Sequence, residues 1–388
     1  MVPGSEIEAR TASFQAKLRD AGLDAALIVD QTDLYYLAGT TQSAHLVVPA
    51  DAEPILLVRR TLERAQRESA LDRVEPLRSL RELPDALHAA GLDGGRVGLE
   101  LDVLPAAQYL GYVRRLEGFE LADCSAILRA LRAVKSPWEL AQMRTAADQL
   151  AHVPDWVAQI LREGMSEIEL AAEIDRRLRL AGHQGLVRFR GFNQEMSTSS
   201  IVAGPSAAVP GAADTPIVGP GPNPAVAKGA SARPIGRGEP VVVDLVGAWE
   251  GYLADQTRSF TLGPPADERV EPAYRLAESI LVTVASETRP GAPASAVYDR
   301  AVELAAGDLG AFFMGEAAFV GHGLGLEIDE LPVLAPGFDM PLAEGTVFAL
   351  EPKFLFPGEL AVGVENTYAV TTDGVEVLTH APMDLFEL

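Results

Sequence analysis

The amino-acid sequence predicts an α/β domain followed by an α+β domain that contains two related halves. A chain of 388 residues is long for one hydrophobic core, because single cores seldom grow beyond about 250 residues. Strand and helix patterns alternate in the first third, whereas the remainder carries helix pairs next to two hairpin patterns. We expect domains at residues 1–132 and 133–388, with the junction between Leu131 and Trp138.

The first domain contains several strand and helix patterns in succession. A helix over Ser13 to Ala21 precedes a strand in LDAALIVD, and YYLAG is predicted to be a short strand or a turn. HLVVP and PILLV form a predicted hairpin, RVGLEL is a strand, and PAAQYLGYVRRL is a helix.

The second domain begins with clear helix signals. Ser166 and Glu169 form an S-x-x-E capping box ahead of apolar positions at helical spacing, and Gly182 ends the pattern. A second helix pair is predicted in VEPAYRLAESILVTVASE and SAVYDRAVELAAGD. Between Ile201 and Gly238 lies a Gly-, Ala- and Pro-rich stretch, which we expect to be a long loop that flanks the site.

Four acids and one histidine form the candidate site. Hairpin turns near residues 249–250 and 358 would place the two acids of each hairpin opposite one another. Like charges that face each other across a ladder destabilise a sheet, so we expect a cation between them. Four carboxylates and one imidazole suit two divalent ions bridged by shared oxygens. These residues are Asp244, Asp255, His322, Glu351 and Glu365.

The segments around these residues resemble those of the pita-bread metallopeptidases. The resemblance is carried by GYLADQTRSF, by GHGLGLEIDE, and by the EP and VENT segments. That family includes Xaa-Pro dipeptidases (prolidases), aminopeptidase P, methionine aminopeptidase and the non-peptidase creatinase. GLDAALIVDQTDLYYLAG is similar to the opening of their N-terminal domain. The resemblance implies an α/β creatinase-like domain followed by an α+β pita-bread domain with an internal pseudo-twofold axis.

The resemblance also implies a cofactor and a reaction. Asp244 and Asp255 would hold one divalent ion, and His322, Glu351 and Glu365 would complete a second, the metal being manganese, zinc or cobalt. A water shared by the two ions would attack the peptide bond before proline in short substrates, above all Xaa-Pro dipeptides. Glu351 would carry the proton from this water to the leaving nitrogen.

Positions that bind the substrate in related peptidases differ in this chain. Asp329 and Ala318 stand where related peptidases usually have histidines, seven residues after and four before His322. Gly363 stands where many relatives carry an arginine, and Lys228 is the best match to a third histidine.

Five residues are therefore candidates for binding the substrate. An arginine would suit a substrate carboxylate, because guanidinium binds it through two parallel hydrogen bonds. A solvated strand face for the arginines and a solvated loop for the lysine remain open. The altered positions also leave two other functions open, a hydrolase of a non-peptide C–N bond in the manner of creatinase or ectoine hydrolase, and a binding protein without turnover. The candidates are Lys228, Asp329, Arg188, Arg190 and Asn193.

Composition limits the class of partner and the compartment. A net charge of −23 disfavours nucleic acid, whose binding depends on clustered Lys and Arg. One cysteine allows no intrachain disulfide. No run of about 18 uncharged apolar residues appears, so no membrane span is expected. We expect a cytoplasmic protein that acts on short peptides, and the resemblance implies a homodimer.

Overall fold

A computed structural model of the protein describes residues 1–213 and 215–388. These residues group into two compact units, Met1–Arg132 with Arg190–Gln194, and Ala133–Phe189 with Glu195–Leu388. The short segment Arg190–Gln194 thus groups with the first unit, although it lies within the second predicted domain in sequence. No helix in the described ranges is both long and apolar enough to cross a membrane.

The first unit is a mixed sheet with helices. Its strands are β1 (Ala25–Ile28), β2 (Ala44–Pro49), β3 (Ile55–Val58), β4 (Val74–Pro76), β5 (Gly95–Leu99) and β6 (Phe119–Asp123). They are arranged in the order β4-β3-β2-β1-β5-β6, and β2 and β3 form the expected antiparallel hairpin. The helices are α1 (Gly4–Asp20), α2 (Gln31–Ala38), α3 (Leu62–Glu68), α4 (Leu83–Ala89), α5 (Ala106–Arg115) and α6 (Ser125–Arg132).

The prediction that YYLAG is a strand or turn is wrong, because this segment is the end of α2. Asp30 caps the helix, and its carboxylate accepts hydrogen bonds from the backbone N–H groups of Thr32 and Asp33. Gly39 ends it in the left-handed region with φ 71°. These two terminal signals outweigh the β propensity of the paired tyrosines.

The second unit contains the remaining helices. The predicted capping box is confirmed, because the Ser166 side chain and the Glu169 side chain bond each other's backbone N–H groups at the start of the third helix of this unit. A second capping box, formed by Ser136 and Glu139, starts the first helix. The helices are α7 (Pro137–Asp148), α8 (Val153–Ile160), α9 (Glu167–Leu180), α10 (Val270–Glu287) and α11 (Ala294–Ala305).

The strands of the second unit form separate sheets. One sheet has the order β17-β9-β8-β7, another has the order β11-β10-β12-β15-β16, and β13 pairs with β14. The strands are β7 (Ser199–Ala203), β8 (Val241–Trp249), β9 (Tyr252–Thr261), β10 (Gly321–Gly323), β11 (Glu330–Val333), β12 (Val347–Leu350), β13 (Lys353–Phe356), β14 (Leu360–Gly363), β15 (Asn366–Val370), β16 (Val375–Val377) and β17 (Phe386–Glu387).

Each half of this unit has a helix on a carboxylate hairpin. Helix α7 packs on β8 and β9, and α10 packs on β13 and β14. Close packing of α7 depends on Gly247, because a Cβ at this position would lie 2.2 Å from the carbonyl oxygen of Ala146. The expected pair of related halves, and with it the predicted fold class, is confirmed.

The stretch between Ile201 and Gly238 is only in part a loop. Its first residues belong to β7, which pairs with β8, and Gly204–Ala208 form a 3₁₀ helix. Asp214 in this stretch lies outside the described residues. The prediction of a continuous loop is wrong at its start, because the buried residues Ile201, Val202 and Ala203 pair with β8 at the edge of the β8–β9 sheet.

Arg258 ties the two carboxylate hairpins together from within the core. Its side chain is 0% exposed, and its guanidinium donates to the carbonyl oxygens of Thr257, Glu365, Ala381 and Pro382 and to the Asn366 side chain at 2.7–2.9 Å. All five N–H groups of the guanidinium are therefore used. Burial lowers the pKa of Arg258 to about 10, so the group stays charged at neutral pH.

We predict that Arg258→Met lowers the free energy of unfolding by about 3–5 kcal/mol, because several buried acceptors lose their donor together. Guanidinium unfolding followed by circular dichroism measures this change. The control is Arg275→Met, since this side chain is 65% exposed and its loss should change the free energy by less than about 0.5 kcal/mol. Equal losses in the two variants would contradict the anchoring role of Arg258.

Candidate metal centre

The two acids of the first hairpin lie on one face but not opposite each other. In the β8–β9 ladder Asp244 pairs with Thr257, whereas Asp255 pairs with Val246. The prediction of direct opposition is therefore wrong by two residues, because the chain turns at Glu250 and Gly251, both with positive φ. Residues two apart share a face of a strand, so the two carboxylates are diagonal neighbours.

The acids of the second hairpin face each other as predicted. Leu350 pairs with Asn366 in one ladder and Lys353 pairs with Gly363 in the next. The same register runs through both ladders, so Glu351 stands opposite Glu365 in the interval between them. A hairpin turn with Gly358 at φ 73° joins the two strands.

His322 reaches the carboxylates from the middle of a short strand. Strand β10 lies between β11 and β12, and the glycines beside His322 permit this close fit. A Cβ at Gly321 would lie 2.0 Å from the carbonyl oxygen of Ala349, and one at Gly323 would lie 2.2 Å from that of Leu331. These glycines therefore serve the packing of neighbouring strands.

One ring nitrogen of His322 lies near the acids of the cluster, and the other lies near the Gly323 carbonyl and Asp329. Nε2 lies 3.9 Å from Asp255 Oδ2 and 3.9 Å from Glu351 Oε1. Nδ1 lies 3.2 Å from the carbonyl oxygen of Gly323 and 3.3 Å from Asp329 Oδ1. A proton on Nδ1 satisfies those acceptors and leaves the Nε2 lone pair directed at the cluster, which is the usual arrangement of a metal-binding histidine.

Asp255, His322 and Glu365 form a set of donors that fits one divalent ion. One ligand atom from each residue lies within 4.8 Å of the other two. Asp255 Oδ1 and Glu365 Oε1 are buried and have no hydrogen-bond partner in the described part of the chain. Buried acceptors without a partner are unusual, and an oxygen- and nitrogen-binding cation such as Mn²⁺, Zn²⁺ or Co²⁺ would satisfy them.

The charges of the cluster act on one another strongly. Burial raises the pKa of Asp255 well above its ordinary value, and the negative charges of Glu365 and Asp244 raise it further. Burial also raises the pKa of Asp244, although Lys353 opposes this shift. Carboxylates crowded in this way require nearby positive charge to remain ionised.

Hydrogen bonds hold the carboxylates in place. Thr257 Oγ1 donates to Glu365 Oε2 at 2.6 Å. The hydroxyl of Thr367 accepts from the backbone N–H of Asp255 at 2.8 Å and donates to the carbonyl oxygen of Asp255 at 2.9 Å. Contacts of this kind orient metal ligands.

Lys353 lies in the cluster, although it is absent from the predicted site residues. Its side chain is 1% exposed, and Nζ lies 2.7 Å from Glu351 Oε2, 3.1 Å from Glu365 Oε2 and 3.2 Å from Asp244 Oδ2. Burial alone would lower the pKa of Lys353, but the three carboxylates raise it well above its ordinary value. The signal in the sequence was its position two residues after Glu351, which places both on one face.

The predicted substrate-binding residues of the second unit lie in different surroundings. Asp329 contacts His322 as described above. Lys228 is half-buried in a loop, and no hydrogen bond or ion pair joins it to the carboxylates within the described residues. Arg188 is half-buried, and its carbonyl oxygen accepts from the backbone N–H of Ile328 at 3.0 Å.

Arg190 and Asn193 group with the first unit. The guanidinium of Arg190 pairs with Asp33 at 3.0 Å and with Asp102 at 2.7 Å, and its side chain is 5% exposed. Asn193 is exposed and has a positive φ of 58°. The arginine is thus engaged by two acids of its own unit. The role of all five candidates in binding a substrate stays a prediction.

The fold and the carboxylate–histidine centre define a metal-dependent hydrolase of two-domain type. The model of metallopeptidase family M24 matches residues 141–372, and that of the creatinase/prolidase N-terminal domain matches residues 10–134. The chain therefore belongs to the M24 metallopeptidases, as the resemblance of its motifs implied.

Known proteins resemble the chain over nearly its whole length. The probable dipeptidase PepE of Mycobacterium tuberculosis is 29% identical over 97% of this chain and 95% of its own length. An Xaa-Pro dipeptidase of Lactobacillus delbrueckii subsp. lactis is 25% identical over 96% and 97% of the two chains. The crystal structure of dipeptidase PepE from Mycobacterium ulcerans has a TM-score of 0.81 and 26% identity over 99% and 98% of the two chains.

We predict that Thr257→Val weakens Mn²⁺ binding at least about 10-fold, because hydrogen bonds that support metal ligands typically contribute 10- to 100-fold in affinity. Valine keeps the shape of the side chain and removes only the hydroxyl that donates to Glu365. Calorimetric titration of the chelator-treated protein measures the affinity.

The matched control is Thr261→Val on the same strand. The Thr261 hydroxyl is buried and has no hydrogen-bond partner in the ranges that the structure describes, so its loss should leave the Mn²⁺ affinity unchanged. A similar loss of affinity in both variants would count against a supporting role for Thr257.

Proposed function

We propose that this protein is a metal-dependent peptidase that cleaves the bond before proline in short peptides, above all Xaa-Pro dipeptides. The observation that carries the proposal is the set of Asp255, His322 and Glu365, in which two buried carboxylate oxygens have no hydrogen-bond partner in the described chain. Membership of the M24 family and similarity to dipeptidases and Xaa-Pro dipeptidases support the choice of peptide substrate.

A divalent ion bound by this set would supply a Lewis acid for the scissile carbonyl and would lower the pKa of a water ligand. The protein supplies the proton transfer. Glu351 is buried, and its Oε1 points toward His322 Nε2 at 3.9 Å, so this oxygen faces the ligand set. We assign to Glu351 Oε1 the acceptance of a proton from the attacking water and its delivery to the departing nitrogen.

Lys353 determines which oxygen of Glu351 is available for proton transfer. Lys353 donates to Glu351 Oε2 at 2.7 Å, which leaves Oε1 as the oxygen that exchanges protons. This proposal requires one ion, at Asp255, His322 and Glu365. The second divalent ion expected from the sequence stays a prediction, as do the homodimer and the cytoplasmic location.

A second candidate is hydrolysis of a non-peptide C–N bond. It is favoured by the residues at positions that bind peptide in relatives, because Ala318, Asp329 and Gly363 replace the usual histidines and arginine. Asp329 contacts the ligand histidine instead. A screen of amide and amidine metabolites with the metal-loaded protein separates this candidate from a peptidase, and binding without turnover would indicate a silent homologue.

We predict metal-dependent release of proline from Xaa-Pro dipeptides and a loss of about 10²- to 10⁴-fold in turnover for Glu351→Gln, because this change removes the general base. The assay measures proline release with added Mn²⁺, with chelator, and with each variant purified in the same way. Metal-independent turnover, or turnover that survives in the variant, would contradict the assignment.

The control variant is Glu316→Gln. Glu316 is exposed and has no part in the proposed centre, so its turnover should equal that of the wild type. If the metal-loaded wild type releases no proline from any Xaa-Pro dipeptide, the peptidase proposal is lost and the metabolite screen becomes decisive.

A further inference from the structure

The side chain of Lys353 is inserted among the carboxylates from the start of β13. Its three ammonium protons face three acceptors, Asp244 Oδ2, Glu351 Oε2 and Glu365 Oε2, at 2.7–3.2 Å. One donor for each acceptor is the full hydrogen-bonding capacity of a lysine. The ammonium is thus a built-in cation of the site and not a surface charge.

The neighbouring strand provides the space for this lysine. Gly363 pairs with Lys353 across the ladder, and a Cβ at Gly363 would lie 2.5 Å from Lys353 Cγ. Because Gly363 has no side chain, the aliphatic part of Lys353 fits into the space beside it and extends toward the acids. Any larger residue at position 363 would displace the lysine or shift the strand.

The oxygens of the cluster separate into two sets. The first set, on Asp244, Glu351 and the Oε2 atom of Glu365, contacts the ammonium. The second set consists of Asp255 Oδ1 and Glu365 Oε1, which have no hydrogen-bond partner in the described part of the chain. Asp255 and Glu365, which carry the second set, also lie with His322 in a group of described residues that could hold an ion.

A second divalent ion would compete with the ammonium for the same oxygens. Carboxylate oxygens bind a divalent ion such as Zn²⁺ at about 2.0–2.2 Å, whereas those of the first set already lie within 3.2 Å of Nζ. Two cations that share these ligands in a buried site would repel each other strongly. One divalent ion together with the ammonium already neutralises three of the four carboxylate charges.

We infer that the ammonium of Lys353 takes the place of a second metal ion, so that the chain binds one divalent ion, at Asp255, His322 and Glu365. Lys353 is then a positioning residue, which fixes Glu351 through Oε2 and supplies permanent positive charge to Asp244. The inference rests on the metal dependence of the proposed function, but it does not depend on which bond is cleaved.

The test counts metal ions on the full chain after chelator treatment and saturation with Mn²⁺. Elemental analysis of gel-filtered wild type should give one Mn²⁺ per chain, and its electron paramagnetic resonance spectrum should be that of an isolated ion. Two ions per chain with the spectrum of a coupled pair would overturn the inference. No bound ion would overturn both it and the proposed metal dependence.

Lys353→Ala removes the ammonium and opens its space. This variant should bind two Mn²⁺ per chain, and a spectrum of a coupled pair should appear, because metals that share carboxylates lie about 3.5–4 Å apart. If it still binds one ion, Lys353 does not take the place of a metal. If the variant does not fold, the wild-type ion count and spectrum still decide the number of ions.

Lys135→Ala is the matched control. Lys135 is a buried lysine of the same unit that pairs with Glu330 at 3.1 Å, so its removal takes a lysine from an acid that is not one of the four carboxylates. It should keep one Mn²⁺ per chain. A gain of a second ion in both variants would show that loss of a buried lysine has a general effect. Xaa-Pro turnover is not a readout here, so a failure to cleave a given dipeptide leaves this result unaffected.

Discussion

The structure of the second unit depends on four carboxylates that lie within one small volume, three of them buried. Asp255, Glu351 and Glu365 are each 4% exposed or less, and buried charges are costly unless they are paired or bind a metal. Positive charge and hydrogen-bond donors must therefore be brought to them from several parts of the chain. Arg258 donates a hydrogen bond to the backbone carbonyl of Glu365, and the Thr257 hydroxyl donates to the Glu365 side chain.

The same constraint explains why the cluster contains a lysine. Buried acids can be neutralised by a metal from solution or by a cation of the chain itself. This site has three residues that could hold a metal ion, and it has a lysine as its own cation. The ammonium of Lys353 contacts one set of carboxylate oxygens, whereas Asp255 Oδ1 and Glu365 Oε1 have no hydrogen-bond partner among the described residues. A fixed ammonium differs from a metal ion because it donates hydrogen bonds but offers no open coordination position to a substrate. The two sets of oxygens are therefore chemically unequal.

Local sequence patterns predicted much of the fold, but they did not predict strand register or ion-pair partners, which depend on residues distant in the chain. The Ser166 capping box and the main helices follow from near neighbours, and the structure confirms them. The offset of Asp255 by two residues was not predictable, because it depends on the length and φ angles of the turn. Arg190 was one of five candidates for binding the substrate, and its ion pairs with Asp102 and Asp33, which lie 88 and 157 residues before it in the chain, could not be read from local patterns.

The sequence by itself determined the family and the two-hairpin arrangement, and it predicted five metal ligands, because residue type and strand period are local properties. Only the tertiary structure decided how these groups are partnered. It placed Asp329 against His322 and brought the ammonium of Lys353 to three acids. Such pairings depend on strand register and on space left by residues such as Gly363. They arise only when segments distant in the chain pack together, and the order of the residues does not reveal them.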